Sequence, residues 1–245
     1  MPLQADAESV STARAHAGST IDRMYEDRFA DRRAAGRALS GKLRSYADRP
    51  DVIVLALPRG GVQVGYELAA ALRAPLDVVV VRKLGVPGQE ELAFGALAWG
   101  GARVLDEVIV SSVRLDASTI ERVAAEETRE LERRERAYRG DREPPDLAGR
   151  AVILVDDGLA TGSSMLVAID ATRSQQPARI VVAVPVAPPE TCHALRDVAD
   201  EVICLSTPEP FNAVGLWYDD FRPVTDEEVR ELLARRHRQP AHASS

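Results

Sequence analysis

The sequence predicts an α/β fold, a mostly parallel twisted sheet with helices on both faces. Three observations predict it. Apolar strand-like runs alternate with helix-spaced patterns from about residue 27 to about residue 236, the order that brings parallel strands together through helical crossovers. Two of the runs, Val52–Leu57 and Ala151–Val155, are apolar without alternation, as strands buried on both faces must be. The core has to be aliphatic, because hydrophobic residues make up 45% of the chain and aromatic residues only 4%. A single domain of this size buries roughly 75% of its unfolded surface, so no metal or disulfide staple is required.

Residues 27–48 read as a helix, with Phe29, Ala35, Leu39 and Leu43 near helical spacing. The run Asp51–Leu57 follows, ended by Pro58-Arg59-Gly60-Gly61, and is a central strand. Residues 62–73 are helical, and Leu76–Val81 is a second buried strand. Residues 93–105 form a hairpin with Gly100-Gly101 at its turn. Residues 117–139 form a long charged helix that Ser118 and Glu121 open as a capping box, and its alternating charges predict a solvated face. Ala151–Val155 is a third strand, followed by a glycine-bearing loop and a helix to about Gln175. Ile180–Val186 and Glu201–Leu205 are two more strands with a helix between them. Thr225 and Glu228 form a second capping box that opens a last helix to about Arg236. Residues 1–20, and the tail over 238–245, are small and polar and read as disordered. In such sheets ligands sit beyond the carboxyl ends of the strands. The loops after Leu57, Val81 and Val155 are therefore the places to look for chemistry.

A formal charge of −7 argues against a broad nucleic-acid footprint. Cys192 and Cys204 make no disulfide framework, and His16, His193, His237 and His242 lack zinc-ligand spacing. No apolar run is long enough to span a bilayer, and the first residues do not read as a signal peptide. These features predict a cytoplasmic, reducing environment.

The most informative stretch is Val152-Ile-Leu-Val-Asp156-Asp157-Gly158-Leu-Ala160-Thr161-Gly162-Ser163-Ser164-Met165. A buried strand delivers two carboxylates, and a loop of small and hydroxyl residues then enters a helix. Backbone amides at a helix start favour a phosphate. Paired carboxylates suit ribose hydroxyls, or a magnesium ion held through water. No Gly-Lys-Ser/Thr follows the glycines and no Gly-x-Ser-x-Gly occurs, which excludes a Walker-type loop and a nucleophile elbow.

The pattern resembles the phosphoribosyl pyrophosphate (PRPP) loop of the type I phosphoribosyltransferases. It is closest to the adenine enzymes, which also have Asp-Asp and then Ala-Thr-Gly. The resemblance implies that Asp156 and Asp157 hold the ribose hydroxyls and, through water, magnesium, and that Ala160, Thr161, Gly162, Ser163 and Ser164 wrap the 5′-phosphate. Leu57-Pro58-Arg59-Gly60-Gly61 is similar to the pyrophosphate loop, which assigns Arg59, Gly60 and Gly61 to pyrophosphate. Arg82-Lys83 resembles the family's basic pair at the pyrophosphate end. Residues 84–91 resemble its mobile catalytic loop, with Lys83 catalytic and Glu90 or Glu91 an acid/base group. The segment Asn212–Phe221 resembles the small hood of the hypoxanthine-guanine enzymes, which makes Trp217, Tyr218, Asp219 and Phe221 candidates for holding the acceptor. The hypoxanthine-guanine enzymes carry an Asp just before the Thr-Gly, where this chain has Ala160. The whole chain looks most like bacterial phosphoribosyltransferase-domain proteins with a Leu-Pro-Arg-Gly-Gly signature.

The resemblance thus divides the chain into a disordered 1–20, a core over 21–210 that includes the helix 117–139, a hood and helix over 211–237, and a flexible tail. It implies a magnesium-dependent transfer of phosphoribosyl from PRPP to a nitrogen acceptor, a nucleobase, within nucleotide metabolism, by a homodimer. A PRPP-sensing regulator without useful turnover is the alternative, and a nucleotide-binding module without PRPP is a third reading.

Overall fold

The computed structural model describes residues 28–140 and 142–238. In chain order the elements are α1 (Arg32–Ser40), β1 (Val52–Ala56), α2 (Gly61–Leu72), β2 (Leu76–Val78), β3 (Val81–Val86), β4 (Gln89–Ala98), β5 (Arg103–Leu105), α3 (Glu107–Val113), α4 (Ala117–Arg139), β6 (Ala151–Val155), α5 (Ser163–Arg173), β7 (Arg179–Val186), α6 (Pro189–Leu195), β8 (Glu201–Ser206) and α7 (Asp226–Arg238). Five parallel strands form the main sheet in the order β2-β1-β6-β7-β8, and β3, β4 and β5 form a separate antiparallel sheet. From β1 the chain first steps outward to β2 and later returns on the other side as β6. The switch point therefore falls between β1 and β6, which run in register from Val52 opposite Ala151 to Ala56 opposite Val155.

Every residue of β1 and β6 is buried. Alternate side chains serve opposite faces. Val52, Val54, Ala56, Ile153 and Val155 pack with α1, α2, α4 and α7. Ile53, Leu55, Val152 and Leu154 pack with α5 and α6. Continuous apolar runs were the right signal for this double-sided burial. Among the described residues no helix is long and apolar enough to cross a membrane.

Several expectations are corrected. The helix expected over 27–48 is the shorter α1. Asp31 caps its start by accepting from the Ala34 amide at 2.6 Å, Gly41 ends it, and a 3-10 turn covers Arg44–Tyr46. The strand expected over 76–81 is two strands in two sheets, with Val79 and Val80 as the step between them. Residues 84–91 are not a structureless loop. They are the end of β3, a tight turn and the start of β4, with Leu84 opposite Gly95 and Val86 opposite Gln89. Gly88 supplies the turn's left-handed backbone (φ 80°). The 93–105 hairpin is present as β4 and β5, turned by Trp99–Gly101. The helix α3 was not expected.

The Ser118–Glu121 capping box does not form. Asp116 caps α4, accepting from the Thr119 amide at 2.7 Å and the Ser118 hydroxyl at 2.6 Å, while Glu121 pairs with Arg103 at 2.8 Å. The Thr225–Glu228 box forms as expected, with reciprocal bonds of 2.8 and 3.1 Å. One face of α4 is solvated, as its charges suggest. The other is buried through Ile120, Val123, Ala124, Leu131 and Tyr138. Its end is anchored by buried Arg139, which donates to Asp77 at 2.9 Å and to the Val78 carbonyl at 2.6 Å. Cys192 in α6 and Cys204 in β8 are joined by a disulfide. Sequence separation gave no sign of this, because it arises from α6 packing back on β8. The expectations for 1–20 and for 239–245 of the tail lie outside the described residues, while Arg238, expected in the tail, is the last residue of α7.

Candidate active site at the switch point

Two loops meet where β1 and β6 end. The first is Pro58-Arg59-Gly60, with a cis Pro58–Arg59 peptide, and it runs directly into α2. The second carries Asp156 and Asp157 and runs through 158–162 into α5. They are packed hard together. A Cβ built on Gly60 would lie 1.9 Å from Asp157 Oδ2, and one on Gly61 would lie 2.9 Å from Asp156 Cα. The glycines of Pro-Arg-Gly-Gly are thus required by the acidic pair, since any larger residue would collide with it.

The pair itself is half-buried. Asp156 accepts from the Asp157 amide at 2.8 Å. Burial, and then the neighbouring charge of Asp157, hold the Asp156 carboxyl well above the ordinary carboxylate range, while Arg32 pulls it down. The Arg32 guanidinium is the counter-charge, with Nε 2.6 Å from Asp157 Oδ2 and both side chains largely buried. Nothing in the sequence singled out Arg32, which looks like one more charge in an Asp-Arg-Arg run. The two carboxyl groups beside one guanidinium offer hard oxygen donors, which fit a magnesium ion. Among the described residues no cluster of three or more His, Cys, Asp or Glu could hold a metal alone. Such an ion would therefore need further oxygens from its ligand and from water.

The phosphate side is built around the start of α5. Gly162 (φ 75°) caps it with no side-chain bond, which leaves the first helical amides facing the loop. Ala160, Thr161 and Ser163 are exposed, Ser164 is half-buried, and the Thr161 and Ser163 hydroxyls lie 2.9 Å apart. Behind the loop the Thr191 hydroxyl donates to the Ala160 carbonyl at 2.7 Å. These hydroxyls and amides form a cradle open to an anion.

The remaining expected residues lie apart from the acidic pair, with Arg82, Lys83 and Glu90 together on the hairpin. Arg59 is exposed and reaches Asp226 of α7 only at 4.0 Å. Arg82 turns to α4, where it pairs with Glu127 at 2.6 Å. Lys83 lines two cavities: one of about 520 Å³ between the small sheet and α5, with Ser163, Ser164, Asp106 and Glu107, and one of about 370 Å³ beside α4, with Arg82, Glu90 and Glu127. Arg59 lines neither. Glu90 and Glu91 are exposed at the hairpin tip, and Glu90 accepts from the Gly88 amide at 3.2 Å.

The C-terminal segment forms a wall over the acidic pair by pairing with the start of the described chain. Phe29 donates to the Trp217 carbonyl at 2.9 Å, and Asp219 donates back to the Phe29 carbonyl at 2.9 Å. Trp217 and Tyr218 are buried with Ala35 and Val186, so neither ring offers an open face to an acceptor. The Tyr218 hydroxyl donates to the Asp157 carbonyl, and burial, with the charge of Asp157, keeps the phenol protonated by pushing its pKa up. Phe221 stacks on Tyr218 at 5.1 Å, and its ring carries the Arg32 guanidinium at 3.8 Å. Asp219 is exposed beside Arg28 at 3.3 Å.

Comparison with known proteins adds three findings. A sequence model described as the phosphoribosyl transferase domain matches residues 25–220. Two curated proteins of Mycobacterium tuberculosis, whose names assign them provisionally to the phosphoribosyl transferases, are each 44% identical over 217 residues. The match takes in 89% of this chain and 49% of theirs, so the chain spans about half the length of these relatives. The crystal structure of TT1426 from Thermus thermophilus is 46% identical, covers 85% of this chain and 98% of its own, and superposes with a TM-score of 0.74.

Proposed function

Because the chain belongs to the phosphoribosyl transferase domain family, we propose that it transfers the 5-phosphoribosyl group of PRPP to a nitrogen acceptor, a nucleobase, and releases pyrophosphate. The observation that carries this reading is the meeting of the Asp156–Asp157 pair with Gly60 and Gly61 at the switch point, flanked by the uncapped start of α5. In this reading Ala160–Ser164 bind the 5′-phosphate through amides and hydroxyls. Asp156 and Asp157 accept from the ribose hydroxyls. The amides of Arg59–Gly61, with α2 behind them, hold the pyrophosphate, and Lys83, Glu90 and Glu91 approach from the hairpin when it moves over the site.

Departure of pyrophosphate leaves positive charge on the sugar, so the protein's work is positioning, neutralising the leaving group and excluding water. Magnesium, when bound through the acidic pair and the ligand's own oxygens, supplies charge neutralisation on the pyrophosphate. The wall made by 28–32 and 217–222 serves as the hood on the acceptor side. With Trp217 and Tyr218 buried, the exposed Asp219 and the partly buried Phe221 are its candidates for acceptor contact. A homodimer in the cytoplasm completes the reading, and light scattering at tens of micromolar tests the assembly.

The test is pyrophosphate release from PRPP and magnesium against a panel of nucleobases, with calorimetry of PRPP binding run alongside. Turnover with one base supports the transferase. Binding without turnover points to a PRPP sensor, and absence of binding overturns both.

A further inference from the structure

We propose that Arg32 is a positioning residue that fixes which oxygen of Asp157 faces the ligand and ties that carboxylate to the acceptor-side wall. The proposal rests on the reading of Asp157 as a ribose-holding group.

The contacts of Arg32 carry it. The side chain leaves the first residue of α1 and is nearly buried. Its Nε donates to Asp157 Oδ2 at 2.6 Å, its Nη1 donates to the Arg222 carbonyl at 2.9 Å, and its plane lies on the Phe221 ring at 3.8 Å. Only a planar guanidinium meets a carboxylate, a carbonyl and a ring face at once; an ammonium is a point charge with no face to stack. Oδ2 is also pressed against Gly60, where an added Cβ would sit 1.9 Å from Oδ2 and 3.0 Å from Arg32 Nε. With Oδ2 bonded to Arg32 and crowded by Gly60, Oδ1 is the oxygen left to accept from a ribose hydroxyl or a metal-bound water.

The same arginine binds two parts of the wall, at Phe221 and at the Arg222 carbonyl. Tyr218 grips the same aspartate from behind through the Asp157 carbonyl. A shift of residues 218–222 toward an acceptor is therefore transmitted to the ribose carboxylate through a rigid, desolvated side chain.

The test is a double-mutant cycle read by calorimetry, with magnesium-PRPP and inorganic phosphate as separate probes. R32Q and D157N are each expected to weaken magnesium-PRPP binding by about tenfold or more, and R32Q/D157N to bind within about twofold of D157N alone, because Arg32 acts through that carboxylate. Phosphate binding at 160–164 should change by less than about twofold in R32Q. R32K keeps the charge and serves if R32Q folds poorly; it is expected to lose about threefold to tenfold in PRPP affinity, since it cannot stack and bond at once. Losses that multiply in the double variant, or R32Q and R32K binding PRPP as the unaltered protein does, overturn the role of Arg32 while leaving the ribose reading intact. D157N binding PRPP with unaltered affinity overturns the ribose reading itself.

Discussion

The switch point and the β3–β4 hairpin both carry residues assigned to the reaction, and they are built in opposite ways. At the switch point, the acidic pair stands at the end of a strand with no exposed residue, locked by Gly60, Arg32 and Tyr218. On the hairpin, Glu90 and Glu91 stand on exposed backbone, and the body below is tethered by Arg82 to α4 and packed on α5. The difference teaches a division of labour. Groups that orient a sugar must not move, whereas groups that enclose a cation must be able to arrive and leave. A segment with few buried apolar contacts opens at low free-energy cost.

The most severe way to break this comparison is at the acidic pair. D156N/D157N is expected to lower magnesium-PRPP affinity by about a hundredfold or more, since charge-assisted bonds are lost at both positions. Calorimetry measures this, with circular dichroism confirming the fold; unaltered affinity would remove the rigid half of the contrast. Next comes G60A. The methyl would overlap Asp157, so we expect about 1–3 kcal/mol of lost stability together with weakened PRPP binding. Chemical denaturation and calorimetry on one preparation read both.

Smaller effects sharpen the contrast from the hairpin side. K83A is expected to lower kcat/KM by about tenfold, against the twofold or less of an ordinary surface substitution. G88A is the companion to G60A. Its Cβ would meet nothing within 4 Å, yet the backbone is left-handed there (φ 80°), so the cost is about 1 kcal/mol of stability with no change in PRPP affinity. If G88A weakened PRPP binding as G60A does, the two regions would not be separate. Hydrogen exchange at the hairpin tip, 87–91, should be faster in the free protein than with PRPP, magnesium and acceptor present, while paired Leu84 stays slow in both. Exchange at the tip equally slow in both states would defeat closure.

How much of this was legible depended on whether a feature is local or made by contact. The central strands were readable because burial on both faces leaves an uninterrupted apolar run, as in Ala151–Val155. The acidic pair and its loop were readable because strand end, carboxylates, glycine and hydroxyls follow one another in the chain. Thr225 and Glu228 were readable for the same reason. Arg32 was not, since its meaning comes from Asp157 and Phe221, both remote in sequence. The Cys192–Cys204 bond and the split at Val79–Val80 likewise depend on where the chain returns. Trp217 and Tyr218 misled because aromatic character is the same whether a ring stacks on a ligand or fills a core.

The contact between Gly60 and Asp157 has a consequence for heredity. Two codons far apart in the gene specify atoms that occupy one another's space, so neither can drift alone. A side chain at position 60 becomes tolerable only after position 157 has shortened, and that first step discards the carboxylate. Selection for restored PRPP binding would then recover G60A revertants mostly at codon 60, and second-site suppressors at codon 157 would be rare.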